Sequence, residues 1–240
     1  MKIPAACALI GTALALAAPQ SRAAEALSTA SAVVVELFTS QGCSSCPPAD
    51  ALLGELASRP NVVALSFHVD YWDSIGWRDR FSVPEANRRQ SRYVETLGLS
   101  SGFTPQVVID GRSSFVGSDR RRILAALADR AEFTTITAVV ANGQVIVTLP
   151  EQSDAGDYEV NTAAYTAEAS TTIGRGENGG RTLKEYNIVR QFRRLGVWHG
   201  EKRVMAVSLD SFPREATHVA VLLQRIGQGP IQGSAVAALH

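Results

Sequence analysis

Val33-Val-Val-Glu-Leu-Phe38, Thr39-Ser-Gln-Gly42 and Cys43-Ser-Ser-Cys46-Pro-Pro-Ala-Asp-Ala-Leu-Leu53 form one continuous stretch, and the rest of the chain is read outward from it. The first run is apolar, rich in β-branched residues and too short for a helix, so it predicts a buried strand. A glycine-containing turn follows. Two cysteines three residues apart then precede Leu52, Leu53 and Leu56, which repeat at helical spacing. Strand, turn, Cys-x-x-Cys and helix in that order is the arrangement of a dithiol redox site. Free N–H groups and the helix dipole at such a place lower the pKa of the first thiol.

The compartment follows from the N-terminus. Met1-Lys2 is a short basic start, Ile3 to Ala18 is apolar, and small residues around Ser21 to Ala24 suit a cut. This pattern predicts a secretory signal peptide over 1–23, because its apolar core is too short to cross a bilayer. Cys7 lies inside that leader, which leaves Cys43 and Cys46 as the only cysteines of the exported chain. One close pair in a periplasmic or extracellular setting predicts a disulfide as the resting state. The mature chain then has 21 basic and 23 acidic residues, a net charge of −2. Such a balance points to neither nucleic acid nor an anionic membrane surface, and no stable membrane span is expected in the mature chain.

Val62-Val-Ala-Leu-Ser-Phe67 reads as a second strand one helix length after the first, giving a parallel βαβ unit. His68-Val-Asp-Tyr-Trp-Asp73 begins at the carboxyl end of that strand, as the cysteine loop does for the first, so the two segments are expected to be neighbours. Val83-Pro84 marks a helix start, with Arg88, Arg89 and Arg92 expected on the wet side. Pro105, before the strand Gln106-Val-Val-Ile109, suggests a cis peptide. Asp110-Gly111 signals a hairpin, and Ser118 or Asp119 caps a further helix.

Glu36 to Asp50, His68 to Asp73 and Thr104-Pro-Gln106 together resemble the exported, thioredoxin-like family of unknown function numbered 1223 (DUF1223). The resemblance continues through Arg175-Gly-Glu-Asn178 and Asn187-Ile-Val-Arg190. It implies an exposed attacking thiol at Cys43, a buried resolving thiol at Cys46 and a cis-proline at Pro105 beside the disulfide, preceded by Thr104. Thioredoxin relatives carry a buried acid six residues before the first cysteine. Glu36 stands seven before it, so the reading is open between that proton acceptor and an edge or domain-interface carboxylate. Pro47 and Pro48 push the helix start beyond both cysteines, which weakens thiolate stabilisation at Cys43. His68 either tunes Cys43 or is held by Asp70 or Asp73 in a structural role.

From Phe133 onward only strands are predicted, beginning with a hairpin around Asn142-Gly143. Seven short strands suggest a sandwich. The expected architecture is therefore an α/β thioredoxin-like domain over 33–131 followed by an all-β sandwich-like domain over 132–240. Between two of these strands, Thr171 to Arg181 carries four glycines with Arg175, Glu177 and Arg181. It reads either as a surface hairpin or as a lid over the cysteine site.

The leading functional expectation is an exported thiol–disulfide oxidoreductase. Its only prosthetic element is a redox-active Cys43–Cys46 disulfide, and its partners are exported proteins or small thiols that carry thiols or disulfides. One alternative is a periplasmic protein binding a soft metal such as copper through Cys43, Cys46 and His68. The other is a non-catalytic secreted module in which the disulfide is structural. In every disulfide reading, untreated exported protein should show no free thiol and should gain two on mild reduction. Two alkylatable thiols in untreated protein would overturn the disulfide expectation.

Overall fold

The computed structural model describes residues 32–129, 133–153 and 156–240. The signal peptide expected over 1–23 lies outside the described residues. β1 (Val33–Thr39), α1 (Pro47–Ala57), β2 (Val62–His68), α2 (Pro84–Thr96), β3 (Gln106–Ile109), β4 (Ser113–Val116) and α3 (Arg120–Ala128) follow one another in the first half. The second half contains β5 (Thr137–Ala141), β6 (Gln144–Leu149), β7 (Tyr158–Thr172), β8 (Thr182–Trp198), β9 (Arg203–Ser208), β10 (His218–Arg225) and β11 (Ile231–Ala238). Among the described residues no helix is long and apolar enough to cross a membrane.

Local signals decide the short elements. Pro84 starts α2 with Val83 as an extended N-cap, because proline has no N–H to lose and disfavours helix in the residue before it. The Asp119 carboxylate accepts from Arg122 N at 3.1 Å and caps α3. Asn142-Gly143 and Asp110-Gly111 both adopt positive φ, as tight hairpin turns require.

The expected pair of folds is corrected by the sheet. Strands of both halves join one mixed eight-stranded sheet in the order β11-β10-β7-β8-β2-β1-β3-β4, and a small sheet β5-β6-β9 accompanies it. There is no α/β thioredoxin-like unit followed by a β-sandwich. β8 pairs parallel with β2 at Ser66 and Ile188, on the side of β2 away from β1. β7 and β8 are also much longer than the short strands expected, at 15 and 17 residues. Gly54 lets this join form, since a Cβ there would lie 2.4 Å from the Tyr186 ring.

Packing follows the same continuity. α1 and α3 cover one face of the sheet through Leu52, Leu53, Leu56 and Ile123 against Val33, Val35 and Leu37. The opposite face carries α2, and its core runs without a break from Val34, Phe38 and Tyr93 to Tyr165, Val189 and Leu222. A third core lies between the small sheet and the β7–β10–β11 region, around Val147, Trp198 and Val221.

Arg89 is a second correction. It was expected on the wet side of α2 but is only 4% exposed. Its Nε and Nη2 hold the two oxygens of buried Glu36 at 2.5 and 3.0 Å, and Nη2 also donates to Gln224 Oε1 at 3.0 Å. The Tyr93 hydroxyl donates to Glu36 Oε2, and Gln224 Nε2 donates to Tyr93 Oη. Arg89 further stacks 4.4 Å from the Phe192 centroid. One ion pair thus links β1, α2, β8 and β10. A fully paired buried charge is tolerated, whereas removing one partner strands the other in a dry core. Arg89→Ala should therefore destabilise the protein by about 3–5 kcal/mol in urea unfolding, and Glu36→Gln with Arg89→Met by much less. A loss under about 1 kcal/mol in the single variant would show that the pair is not structural.

Candidate functional site

The site forms where β1 and β2 end side by side, with Thr39 paired to His68. Cys43 and Cys46 form a disulfide with their Cα atoms 5.4 Å apart. Cys46 is the N-cap of α1, and Pro47 and Pro48 occupy its first turn. The backbone of Cys46 accepts from Ala49 N and Asp50 N, so Asp50 stands one helical turn from Cys46. The Ser45 hydroxyl is 3.3 Å from Cys43 Sγ.

Behind the disulfide lies a solvent-excluded charge cluster. Asp79 is its hub. Oδ2 accepts from Gln41 N at 2.8 Å and lies 2.7 Å from His68 Nδ1, while Oδ1 accepts from Phe81 N at 2.8 Å. Glu185 Oε2 accepts from Gln41 Nε2, and its other oxygen is 3.9 Å from His68 Nδ1. The Thr39 hydroxyl donates to Asp50 Oδ1 at 2.8 Å. His68 Nε2 is buried and has no partner among the described residues.

Burial dominates the protonation of this cluster. It pushes the Asp50 carboxyl up to about 6, with His68 and the Thr39 hydroxyl partly offsetting it. It likewise pushes Glu185 up to about 7 against the pull of His68 and Gln41. Burial by itself would lower His68, yet the Asp79 charge and hydrogen bond outweigh it and raise the imidazolium to about 9. Asp79 is opposed by burial too, but His68 and the backbone donors hold it below the usual carboxylate range. Around neutral pH the cluster therefore keeps a cationic His68 and a Glu185 that is only partly ionised.

The loop between β7 and β8 lies across the cysteine turn. Asn178, fully buried, donates from Nδ2 to Gln41 O and Cys43 O at 3.0 Å each. Arg181 Nη1 holds Asn178 Oδ1 at 2.8 Å, and Glu177 Oε2 accepts from Ser44 N at 3.2 Å. Trp77 donates to Gln41 Oε1, and a Cβ at Gly174 would lie 3.4 Å from Trp77 Cζ3, so the loop settles on that indole. Arg175 stays exposed.

The remaining expected site residues fall as follows. Thr104–Pro105 is a cis peptide, and Pro105 shares contact space with Ala49 of α1 at Gly117. Thr104 Oγ1 accepts from Trp72 Nε1, and the Trp72 side chain abuts Gly42. Glu36 is turned away. It shares the α2 face with Val34 and Phe38, whereas α1 covers the face of Val35 and Leu37. Cys43 was expected to be exposed, but it is only 1% accessible and Cys46 0%, with the β7–β8 tip hydrogen-bonded across their turn. His68 is held by Asp79 rather than by Asp70 or Asp73. Among the described residues no group of three or more His, Cys, Asp or Glu is placed to hold a metal ion, and both sulfurs are in the disulfide.

Sequence reading passed over Asp50, Asp79, Glu185 and Asn178 as site residues. Asp50 lies within the cysteine motif and Asn178 within the glycine-rich loop, so both had a local signal. Asp79 and Glu185 had none, because each reaches the site by long-range packing.

A disulfide at a strand–helix junction, backed by buried acids and a histidine and crossed by a hairpin from the same mixed sheet, defines the class of protein. The chain belongs to the family described as protein of unknown function (DUF1223), whose model matches residues 34–224. It is similar to the crystal structure of a protein from Agrobacterium tumefaciens, with 28% identity and a TM-score of 0.78 over 89% of this chain and 97% of that one. It also shares its fold with HBP35 of Porphyromonas gingivalis, at 15% identity and a TM-score of 0.59 over 88% of this chain and 76% of that one. No curated protein matches it.

The raised groups set a pH dependence of stability. A group with a raised folded pKa contributes stability that is present below its unfolded value and lost as pH rises through the folded one. Glu185 should act between 4.5 and about 7, and His68 between 6.5 and about 9. The melting temperature of the oxidised protein should fall across this span, and Glu185→Gln should flatten the part below pH 7. A melting temperature that rises from pH 5 to 9 would show that these groups do not titrate as buried.

Proposed function

We propose that this protein is an exported thiol–disulfide oxidoreductase that works through Cys43 and Cys46. Its partners are exported proteins or small thiols that carry thiols or disulfides. The observation that carries the reading is the placement of the Cys43–Cys46 disulfide at the start of α1 beside the buried cluster of Asp50, His68, Asp79 and Glu185. A staple needs no such cluster.

From the dithiol state, the Cys43 thiolate attacks one sulfur of a partner disulfide. A Cys43–partner bond forms, the partner's S–S bond breaks, and one partner sulfur leaves as thiolate. Cys46 then loses its proton and attacks Cys43 Sγ. That closes the Cys43–Cys46 bond and expels the second partner thiolate. Two electrons pass to the partner, and the two thiol protons pass to its sulfurs. Partner thiolates attacking Cys43 run the same steps backward. Cys46 is excluded from water, so its proton needs an acceptor within the protein. Asp50, one turn along α1 and linked through the cluster to His68 and Glu185, stands closest to that task in the chain order of the site.

The β7–β8 tip controls access in this scheme. It shields Cys43, and the Glu177 carboxylate at Ser44 N sets a negative charge beside the turn where a Cys43 thiolate would develop. Lifting the tip removes both obstacles at once.

A structural disulfide is the second reading, favoured by the exclusion of both cysteines from solvent. The reduction potential separates the two, since structural disulfides lie below about −300 mV and exchanging ones above it. Cys46→Ala should accumulate reductant-sensitive mixed disulfides with exported proteins or glutathione, and Cys43→Ala few. Asn178→Ala removes two hydrogen bonds from the latch and should speed reduction of the wild-type pair by about tenfold. Equal trapping by both cysteine variants, or none by either, with a potential below about −300 mV, would leave the structural reading standing.

A further inference from the structure

Among the described residues one side chain donates to a sulfur of the disulfide. Ser45 Oγ lies 3.3 Å from Cys43 Sγ. A disulfide sulfur carries no hydrogen, so the hydroxyl is the donor and the sulfur the acceptor.

The backbone offers that sulfur little else. A helix start ordinarily presents free N–H groups that stabilise a thiolate. Here Pro47 and Pro48 fill the first two positions of α1 and carry no N–H. Ala49 N and Asp50 N donate to Cys46 O, Cys46 N to Cys43 O, and Cys43 N to Ser40 O. Ser44 N is held by the Glu177 carboxylate, whose charge opposes a thiolate beside it. The Ser45 hydroxyl is the side-chain donor that remains to offset these losses. Cys43 is also fixed at both ends of its own backbone, its N–H on Ser40 O and its carbonyl under Cys46 N. Both bonds lie within the cysteine turn, so they outlast a lifting of the β7–β8 tip. Opening the S–S bond therefore leaves the Cys43 sulfur beside Ser45.

We propose that the Ser45 hydroxyl holds the Cys43 thiolate and so makes Cys43, not Cys46, the exchanging sulfur. This inference rests on the oxidoreductase reading and names the donor that selects its nucleophile. In the dithiol state the Cys43 S–H bond breaks, the sulfur keeps the electron pair, and the proton passes to water. Ser45 points its hydrogen at that sulfur, and its own O–H bond stays intact. A hydrogen bond to an ionised acceptor is stronger than one to a neutral sulfur, so the contact seen in the disulfide tightens when the disulfide opens.

The test uses the mature protein carrying Cys46→Ala, which leaves Cys43 as its single cysteine, and oxidised glutathione as the probe. Thiolate is followed against pH by ultraviolet absorbance, and glutathione capture by mass. Ser45 is exposed, so its variants leave the core alone. Adding Ser45→Ala should leave about tenfold less thiolate at any pH below the titration midpoint. Thiolate nucleophilicity rises about threefold when basicity rises tenfold. Capture should therefore slow about threefold below the midpoint and quicken about threefold above it. A serine with a merely structural role would not produce that crossover. Ser45→Thr keeps the hydroxyl and should restore the original curve. Ser44→Ala alters a neighbour that bonds through its backbone N–H and should change neither measurement. A thiolate curve unmoved by Ser45→Ala, with capture intact, overturns the proposal, and so does an equal shift from Ser44→Ala. The oxidoreductase reading survives both of those results. Capture by neither cysteine variant overturns that reading and the role of Ser45 together.

Discussion

The Asp79 carboxylate ties three separate segments to one point. It accepts from the turn before the disulfide at Gln41, lies against the end of β2 at His68, and accepts from the loop leading into α2 at Phe81. Gln41 carries the link onward to Glu185 on β8. A charge excluded from water persists in a fold only when such partners surround it. Each partner of Asp79 therefore fixes the position of a different chain segment. The cysteine turn, the histidine and the hairpin that crosses them are held in one arrangement by this requirement.

That arrangement has chemical consequences. Two carboxyls and an imidazole with raised pKa values lie in one buried compartment, where each charge state is set by its neighbours more than by bulk water. The hairpin tip acts on the same site from outside. Asn178 satisfies two carbonyls of the cysteine turn, and Glu177 occupies its free N–H. Burial of the disulfide follows from a loop more than 130 residues away in sequence, not from the helix that carries it.

Much of the local structure was legible because the responsible forces are local. Pro84, Asp119, Asn142-Gly143 and the cis peptide at Pro105 each act through their own backbone, and each appears where the residue type predicts. Glycines and polar residues between Thr171 and Arg181 suit a surface hairpin or a lid equally, and only packing shows Asn178 and Glu177 on the cysteine turn. Arg89 misled because helical spacing shows which residues share a face but not whether a buried carboxylate waits opposite one of them. Glu36 and Arg89 are 53 positions apart, and nothing in either neighbourhood announces the other.

Family membership, the cysteine pair and the order of strands and helices were determined by the sequence itself, since each is written in contiguous residues. Only the tertiary structure decided that β8 adds to the edge of β2 and merges the two halves into one sheet. It also decided that Glu36 serves an ion pair on the far face while Asp50, Asp79 and Glu185 gather behind the disulfide. The physical reason is common to these cases. Strand addition and charge burial depend on which surfaces meet after folding, and the free energy of a buried carboxylate is set by neighbours that lie far away in the chain.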